Sequence, residues 1–357
     1  MKIALVFPNN VFSAPYLDYY TNFLNKEKTS YKLIIWNRAN EEEENTIAFK
    51  SNSKSSSPFA KALNYYKFGS FCKKEIKNGD FDKVIVFTPQ LAIFLYSFLK
   101  KHYSNKYLID IRDYTTIIPY FKRRFFKLIK QAQTVCISSE GFTSWLPKNR
   151  NYIMSHNVHL QRINHYLLKD YNKKNFFNDG TINFDTVGAL RDFTTNSSIM
   201  KELGNRKDFF LNFIGSGWAL PMLQKFALDE NINNVHFHGR YDKKEEIQLL
   251  QNTDILNIIQ NADKISNFAI ANRLYLSGLL RIPCIARKNT EHSRVIHKYG
   301  LGITIENYNE IPEKIIEYKS TFNKEQFIKN CTVFLQDVKK DYDRFENAVI
   351  QFINETH

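Results

Sequence analysis

The chain has 357 residues, enough to bury two cores and long for one. Its 43% apolar and 24% charged residues are the composition of a soluble globular protein, and no apolar run reaches the ~20 residues needed to span a bilayer. A formal net charge of +14 calls for an anionic partner, whether nucleic acid, anionic lipid or nucleotide phosphates. No zinc-finger spacing, RNP-like segment or Arg/Gly tail is present, which sets nucleic acid aside.

The opening apolar run, residues 1–7, is too short for a signal-peptide core, and Pro8-Asn9-Asn10 ends it as a strand followed by a loop. Strand patterns then recur at 31–36, 83–88, 107–111, 134–138 and 152–155. Amphipathic runs lie between them at 16–26, 59–77, 91–101, 119–131 and 141–146. Several strands are continuously apolar, as expected where helices cover both faces of a parallel sheet. The tract 41–57, four glutamates and then Ser and Lys, is expected to be a mobile surface loop. Residues 156–180 are polar, lack an apolar period, and are expected to link two domains.

Alternation restarts beyond that link. Strands are expected at 183–188, 209–214, 235–238, 254–259, 283–286 and 303–306. Helices are expected at 195–203, 220–228, 243–252, 270–280, 291–299 and 311–318, with a charged helical tail from 323 to 354. The account this supports is two successive doubly wound α/β domains, residues 1–160 and 161–341, with a helix over 342–357 packing back on the first. Cys72, Cys136, Cys284 and Cys331 are scattered and form no Cys-x-x-Cys pair. They read as buried free thiols of a reducing compartment, so the cytoplasm is the expected location.

The stretch 267–286 carries the chemistry. Asn272 and Arg273 fall in the first turn of its helix, where a cation opposes the helix dipole and so calls for an anion. A guanidinium fork there suits a phosphate, although a solvated surface arginine reads the same way. Ala271-Asn272-Arg273-Leu274-Tyr275 and Arg281-Ile282-Pro283-Cys284-Ile285 resemble the Ser-Asn-Lys-Leu-Tyr helix and following strand of GT-B glycosyltransferases of the family-4 type. The likeness is nearest to the capsular and exopolysaccharide branch. It implies the GT-B fold, two Rossmann-like domains facing across a cleft, and a basic residue, here Arg273, on the donor diphosphate. The family's paired glutamates would fall near Phe268 and Leu276, so the carboxylate that usually holds the donor ribose is missing.

Other segments match the same pattern. Val187-Gly188-Ala189-Leu190-Arg191-Asp192 resembles the Gly-x-Leu-Arg loop that begins the donor site; Gly188 would admit a ligand close to the backbone and Arg191 would grip a phosphate. Phe213-Ile214-Gly215-Ser216-Gly217 resembles the family's Gly-x-Gly. Asn234-Val235-His236-Phe237-His238-Gly239-Arg240-Tyr241 resembles the segment passing the nucleobase, with Arg240 and Tyr241 placed to edge or stack a base. The resemblance thus implies donor contacts at Gly188, Arg191, Gly215, Gly217, Arg240, Tyr241, Asn272, Arg273 and Ser277. His236 and His238 share one face of a strand, as a metal pair or as packing residues.

In the first domain Leu108-Ile109-Asp110-Ile111-Arg112-Asp113 resembles the family's cleft-facing Asp-x-x-Asp, making Asp113 and Asp110 the catalytic candidates; a structural ion-pair network reads equally from those residues. Asn9, Asn10, Ser138 and Ser139 fall on the acceptor side. Asp80-Phe81-Asp82 and Asp341-Tyr342-Asp343 are poor metal motifs, one preceding a strand and one on a helix with its carboxylates on different faces, so no metal and no cofactor are expected. The basic amphipathic run 121–130 is either a core-facing helix or a contact with anionic lipid. The activity implied is transfer of a sugar from a UDP- or GDP-linked nucleotide sugar to a polyprenyl-linked or oligosaccharide acceptor, on the inner face of the cell membrane. A sugar-nucleotide epimerase and a non-catalytic partner subunit are the alternatives.

Overall fold

The structure, a computed structural model, describes residues 1–51, 57–168, 176, 177 and 180–355. Two compact units divide the chain, Met1–Asn157 with Lys340–His357, and Val158–Lys339.

In the first unit the chain runs β1 (Lys2–Phe7), α1 (Leu17–Lys26), β2 (Ser30–Asn37), β3 (Thr46–Lys50), α2 (Pro58–Asn78), β4 (Lys83–Phe87), α3 (Pro89–Phe94) and α4 (Tyr96–His102). It continues through β5 (Tyr107–Ile111), α5 (Ile118–Gln131), β6 (Thr134–Ile137) and β7 (Ile153–Met154). The seven strands pair in parallel in the order β3-β2-β1-β4-β5-β6-β7. Every residue of β4 and β5 is buried, the signature of a sheet covered on both faces. Sequence order reverses between β1 and β4, which leaves the crevice beyond their carboxyl ends open to a ligand.

The second unit runs α6 (Leu160–Leu168), β8 (Ile182–Val187), α7 (Phe193–Leu203), β9 (Phe209–Ile214), α8 (Leu220–Asp229), β10 (Val235–Gly239) and α9 (Glu246–Leu249). It continues through β11 (Ile255–Asn257), α10 (Lys264–Phe268), α11 (Asn272–Leu280), β12 (Cys284–Arg287), α12 (Glu291–Tyr299), β13 (Gly302–Ile305) and α13 (Ile311–Thr321). Six parallel strands pair as β10-β9-β8-β11-β12-β13, with the reversal between β8 and β11. The last helix, α14 (Lys324–Asn354), contributes Phe327, Phe334, Leu335 and Val338 to a core of the second unit. Its later residues Phe345, Val349, Phe352 and Ile353 join a core of the first, where Phe345 meets the Tyr20 and Phe23 rings edge-on.

Five expectations need correction. Within 41–57 the chain forms the edge strand β3; its residues are half-exposed or exposed and its apolar run is only Ile47-Ala48-Phe49, too short to stand out beside the polar tract, and residues 52–56 lie outside those described. Within 156–180 it forms α6, whose Ile163 and Tyr166 are buried; two apolar anchors in nine residues are too few to read as a period. The expected 91–101 helix is two short ones, α3 and α4, and the 141–146 run is a 3-10 turn over Glu140–Ser144. The helix bearing Arg273 begins at Asn272 instead of residue 270, after Ala271 in extended conformation.

Candidate functional site

The crevice at the β8/β11 reversal is built from backbone. After β8 the chain turns through Gly188 (φ +106), and after β9 through Gly215 (φ +143). These loops are bolted together: Gly188 N–H donates to Ile214 O at 2.9 Å, Leu190 N–H to Ser216 O at 3.0 Å, and Ala219 N–H to Leu190 O at 3.1 Å. A Cβ on Gly215 would lie 1.9 Å from Gly188 O, and one on Gly217 would lie 2.1 Å from Leu190 O. The Gly-x-Gly therefore serves close packing of loop on loop. Gly188 differs, since a Cβ there would meet nothing within 4 Å, leaving room beside it. Arg191 is exposed and carries no hydrogen bond among the described residues. Asp192 caps α7, accepting from Thr195 N–H at 2.9 Å.

Arg273 reaches this crevice from the first turn of α11. Its Nη1 donates to the Asn257 carbonyl, at the end of β11, at 2.7 Å. The residue keeps some exposure, yet enough protein surrounds the guanidinium for desolvation to push its pKa down to about 10, with the Asp192 charge opposing. Among the described residues no carboxylate hydrogen-bonds it, so a cation is held at a helix N-terminus with only a carbonyl and a nearby charge to offset it. His292, which sequence reasoning missed, fixes the start of that helix. Its Nε2 accepts from Ala271 N–H at 2.8 Å, and burial, with the Arg273 charge adding, lowers its pKa to about 3. His292 is thus a neutral acceptor that aims the first turn. Only the tertiary fold brings it to Ala271, twenty-one residues away.

Three donor-site expectations change on this geometry. Ser277 is fully buried and its hydroxyl donates to Ile282 O at 2.6 Å, fastening α11 to the approach of β12. Tyr241 gives its hydroxyl to the buried Glu246 at 3.0 Å; burial and then that carboxylate raise its pKa. Arg240 is exposed, but with Tyr241 it follows β10, the outermost strand, two strands from β8. Asn272 is exposed at the first position of α11, and Leu276, where the family has an acid, is a core residue.

In the first unit Asp110 is fully buried and locked. Its Oδ2 accepts from Tyr20 Oη at 2.6 Å and Arg112 Nη2 at 2.8 Å, while Arg112 also donates to Ser155 O, Ser155 Oγ and Asn157 Oδ1. Burial opposes the Arg112 charge, but Asp110 outweighs it and leaves the pKa raised. Asp110 has no exposed surface and is enclosed in this network. Asp113 remains exposed, though enough protein surrounds it for desolvation to raise its carboxyl pKa against the pull of Arg112. Ser138 and Ser139 are buried, Ser138 donating to Arg112 O at 3.2 Å. Asn10 is buried and spent: its side-chain Nδ2 donates to Asn37 and Glu43, and its side-chain Oδ1 accepts from the N–H groups of Arg38 and Ala39. Asn9 stays partly exposed. Thr88, unmarked in the sequence, stands at the β1/β4 reversal with φ +79, costly for a β-branched residue and a feature typical of functional sites.

Among the described residues no group of three or more His, Cys, Asp or Glu could hold a metal ion, and no helix is long and apolar enough to cross a membrane. All four cysteines are free and buried. In α5 the apolar residues Phe125, Leu128 and Ile129 are buried in the unit, whereas Lys122, Arg123, Arg124, Lys127 and Lys130 are exposed.

No known family profile matches the sequence, and no curated protein does. Solved structures do match. The apo form of the lipopolysaccharide outer core galactosyltransferase WaaB is 16% identical over 98% of this chain and 99% of its own, with a TM-score of 0.68. Sucrose-phosphate synthase from Thermosynechococcus elongatus is 11% identical over 97% of this chain and 98% of its own, at 0.70. Anabaena HepE, solved in complex with UDP, is 11% identical over 97% of this chain and 99% of its own, at 0.67. With the two parallel sheets, these likenesses define the fold as GT-B, built from two Rossmann-like domains.

Proposed function

We propose that this chain is a glycosyltransferase of the family-4 type. It would move a sugar from a UDP- or GDP-linked donor to a lipid-linked or growing polysaccharide acceptor, in capsule or exopolysaccharide synthesis at the inner face of the cell membrane. The observation that carries this reading is Arg273: a desolvated guanidinium in the first turn of α11, at the reversal of a parallel sheet, with no carboxylate bonded to it.

In the reaction the bond from the anomeric carbon to the diphosphate breaks and an acceptor hydroxyl forms the new one. The charge gathering on the diphosphate meets Arg273 and Arg191, with the open side of Gly188 admitting the ligand to the backbone; such fixed positive groups can replace a metal ion. In the first unit Asp113, exposed and with a raised pKa, is the candidate for contact with the acceptor. Retention of anomeric configuration follows from the family likeness. The buried Leu276 in place of an acid favours one other reading, a non-catalytic partner with the same fold.

Incubation with a panel of UDP- and GDP-sugars, followed by assay of released nucleoside diphosphate and by thermal shift, separates the two. Turnover supports the enzyme. Nucleotide-dependent stabilisation with no turnover on any acceptor supports the partner, and absence of both rejects the donor site.

A further inference from the structure

Parallel sheets normally carry helices on both faces. One face of β8, β9 and β10 obeys: Ile182, Phe184, Phe209, Leu211 and Phe213 are core, with Val235 and Phe237 packed against it. The opposite face of the same strands carries Asn183 and Asp185, Phe210 and Asn212, and His236 and His238. The helix that follows β10, α9, has only four residues, and this face is covered only in part: Asp185 and Ile214 are buried, whereas His236 and His238 are exposed. What remains is an open groove of about 270 Å³, closed at its margins by Ile214, Leu249 and Asn252.

The groove's chemistry excludes most ligands. No Lys or Arg lines it, so a phosphate or carboxylate finds no counter-charge. Asp185 is spent, accepting from Asn212 at 2.7 Å and from the Thr253 hydroxyl, and no three metal-ligating side chains gather among the described residues. An apolar ligand would desolvate amides and imidazoles without giving them partners. What the walls do offer is planar amide and imidazole groups that carry hydrogen-bonding nitrogens and oxygens. The side chains of His236 and His238, exposed with ring centroids 6.4 Å apart, and of the exposed Asn252 make no hydrogen bond among the described residues. Half-exposed Phe210 and Leu249 add apolar surface of the kind the C–H face of a sugar ring covers.

We propose that this groove binds carbohydrate, one or two neutral hexose units, its volume lying below the ~300 Å³ at which pockets for drug-sized ligands begin. It lies on the sheet face, whereas Arg191 and Arg273 belong to loops and helix beyond the strand ends. A glycan held there does not compete with a nucleotide.

The test uses the full chain in excess EDTA, with saturation-transfer NMR and calorimetry against glucose, galactose, N-acetylglucosamine, lactose and cellobiose. Saturable binding of at least one sugar is expected, unchanged by saturating UDP or GDP and unchanged in Arg273→Ala. The pair His236→Ala with His238→Ala, and separately Asn252→Ala, should weaken it about tenfold or more, since each removes hydrogen bonds to the ligand. These side chains are exposed, so an unaltered melting temperature verifies folding. Failure to bind any of the sugars, displacement by nucleotide, or indifference to the three substitutions overturns the proposal, and dependence on metal does so as well. Nucleotide binding measured on the same samples reports the donor site separately, so either site can fail alone.

Discussion

Arg273 spends its hydrogen bond on a backbone carbonyl, and its charge is held where desolvation works against it. A bound diphosphate would relieve that cost. A charge-assisted contact of this kind is worth roughly 1.5–3 kcal/mol, so Arg273→Ala should weaken donor binding about ten- to a hundredfold, read by calorimetry with the nucleotide sugar. Lys should restore part of it, since a point charge cannot reproduce a bidentate fork. Unchanged affinity in a folded variant would remove Arg273 from the site. His292 makes a second claim at this scale. Its pKa is about 3 in the folded protein and near 6.5 when unfolded, so between those values the unfolded chain holds the extra proton and stability falls as pH falls. From pH 6.5 to 4.5 the loss from this one group is about 2–3 kcal/mol. Urea unfolding at the two pH values should show a shallower loss in His292→Gln than in wild type. An equal slope in both proteins would mean that His292 is not held neutral.

Among the elements, the loops after β8 and β9 act as one piece. Their glycines look alike in sequence but differ in what surrounds them, so the same substitution should have opposite severity. Gly215→Ala drives a Cβ into the Gly188 carbonyl at 1.9 Å and should lower the melting temperature sharply or prevent folding. Gly188→Ala meets open space and pays only for its positive φ, about 1–2 kcal/mol. It should fold and lose donor affinity, because the new methyl fills the space beside the backbone. Similar melting temperatures for the two variants would contradict this arrangement. In α5 the burial of Phe125, Leu128 and Ile129 assigns the apolar stripe to the core and leaves the cationic back as the part able to meet a membrane. Attachment should therefore be electrostatic, worth about 1 kcal/mol per basic side chain near the surface. Sedimentation with anionic vesicles should decline as salt rises and when Lys122, Arg123, Arg124 and Lys127 become Gln. Equal binding to neutral vesicles would reject it.

At the scale of the whole molecule, the two α/β domains were legible because fully buried parallel strands are short apolar runs with amphipathic segments between them. The edge strand β3 and helix α6 were not, since half-exposed or sparsely anchored elements leave little pattern. The site divides along a similar line. Arg273 could be read from its place in a helix turn, but burial could not, so Asp110, Asn10, Ser138, Ser139 and Ser277 looked available when tertiary partners had already claimed or enclosed them. Thr88 and His292 were invisible for a complementary reason: one is marked by a backbone angle and the other by a contact across the fold. The same geometry bears on metal. Asp80 and Asp82 precede β4 at the amino end of the sheet, away from the carboxyl-end crevice, and Lys2 N–H binds Asp82 Oδ2 at 2.7 Å. Asp341 is bound by His156 and Arg344. Each pair therefore has one carboxylate already bonded within the first unit. If fixed cations do the work at the β8/β11 reversal, sugar transfer should persist in excess EDTA, and added magnesium or manganese should change the rate less than twofold. Activity abolished by EDTA and restored by either ion would show that Arg191 and Arg273 do not carry the leaving-group charge.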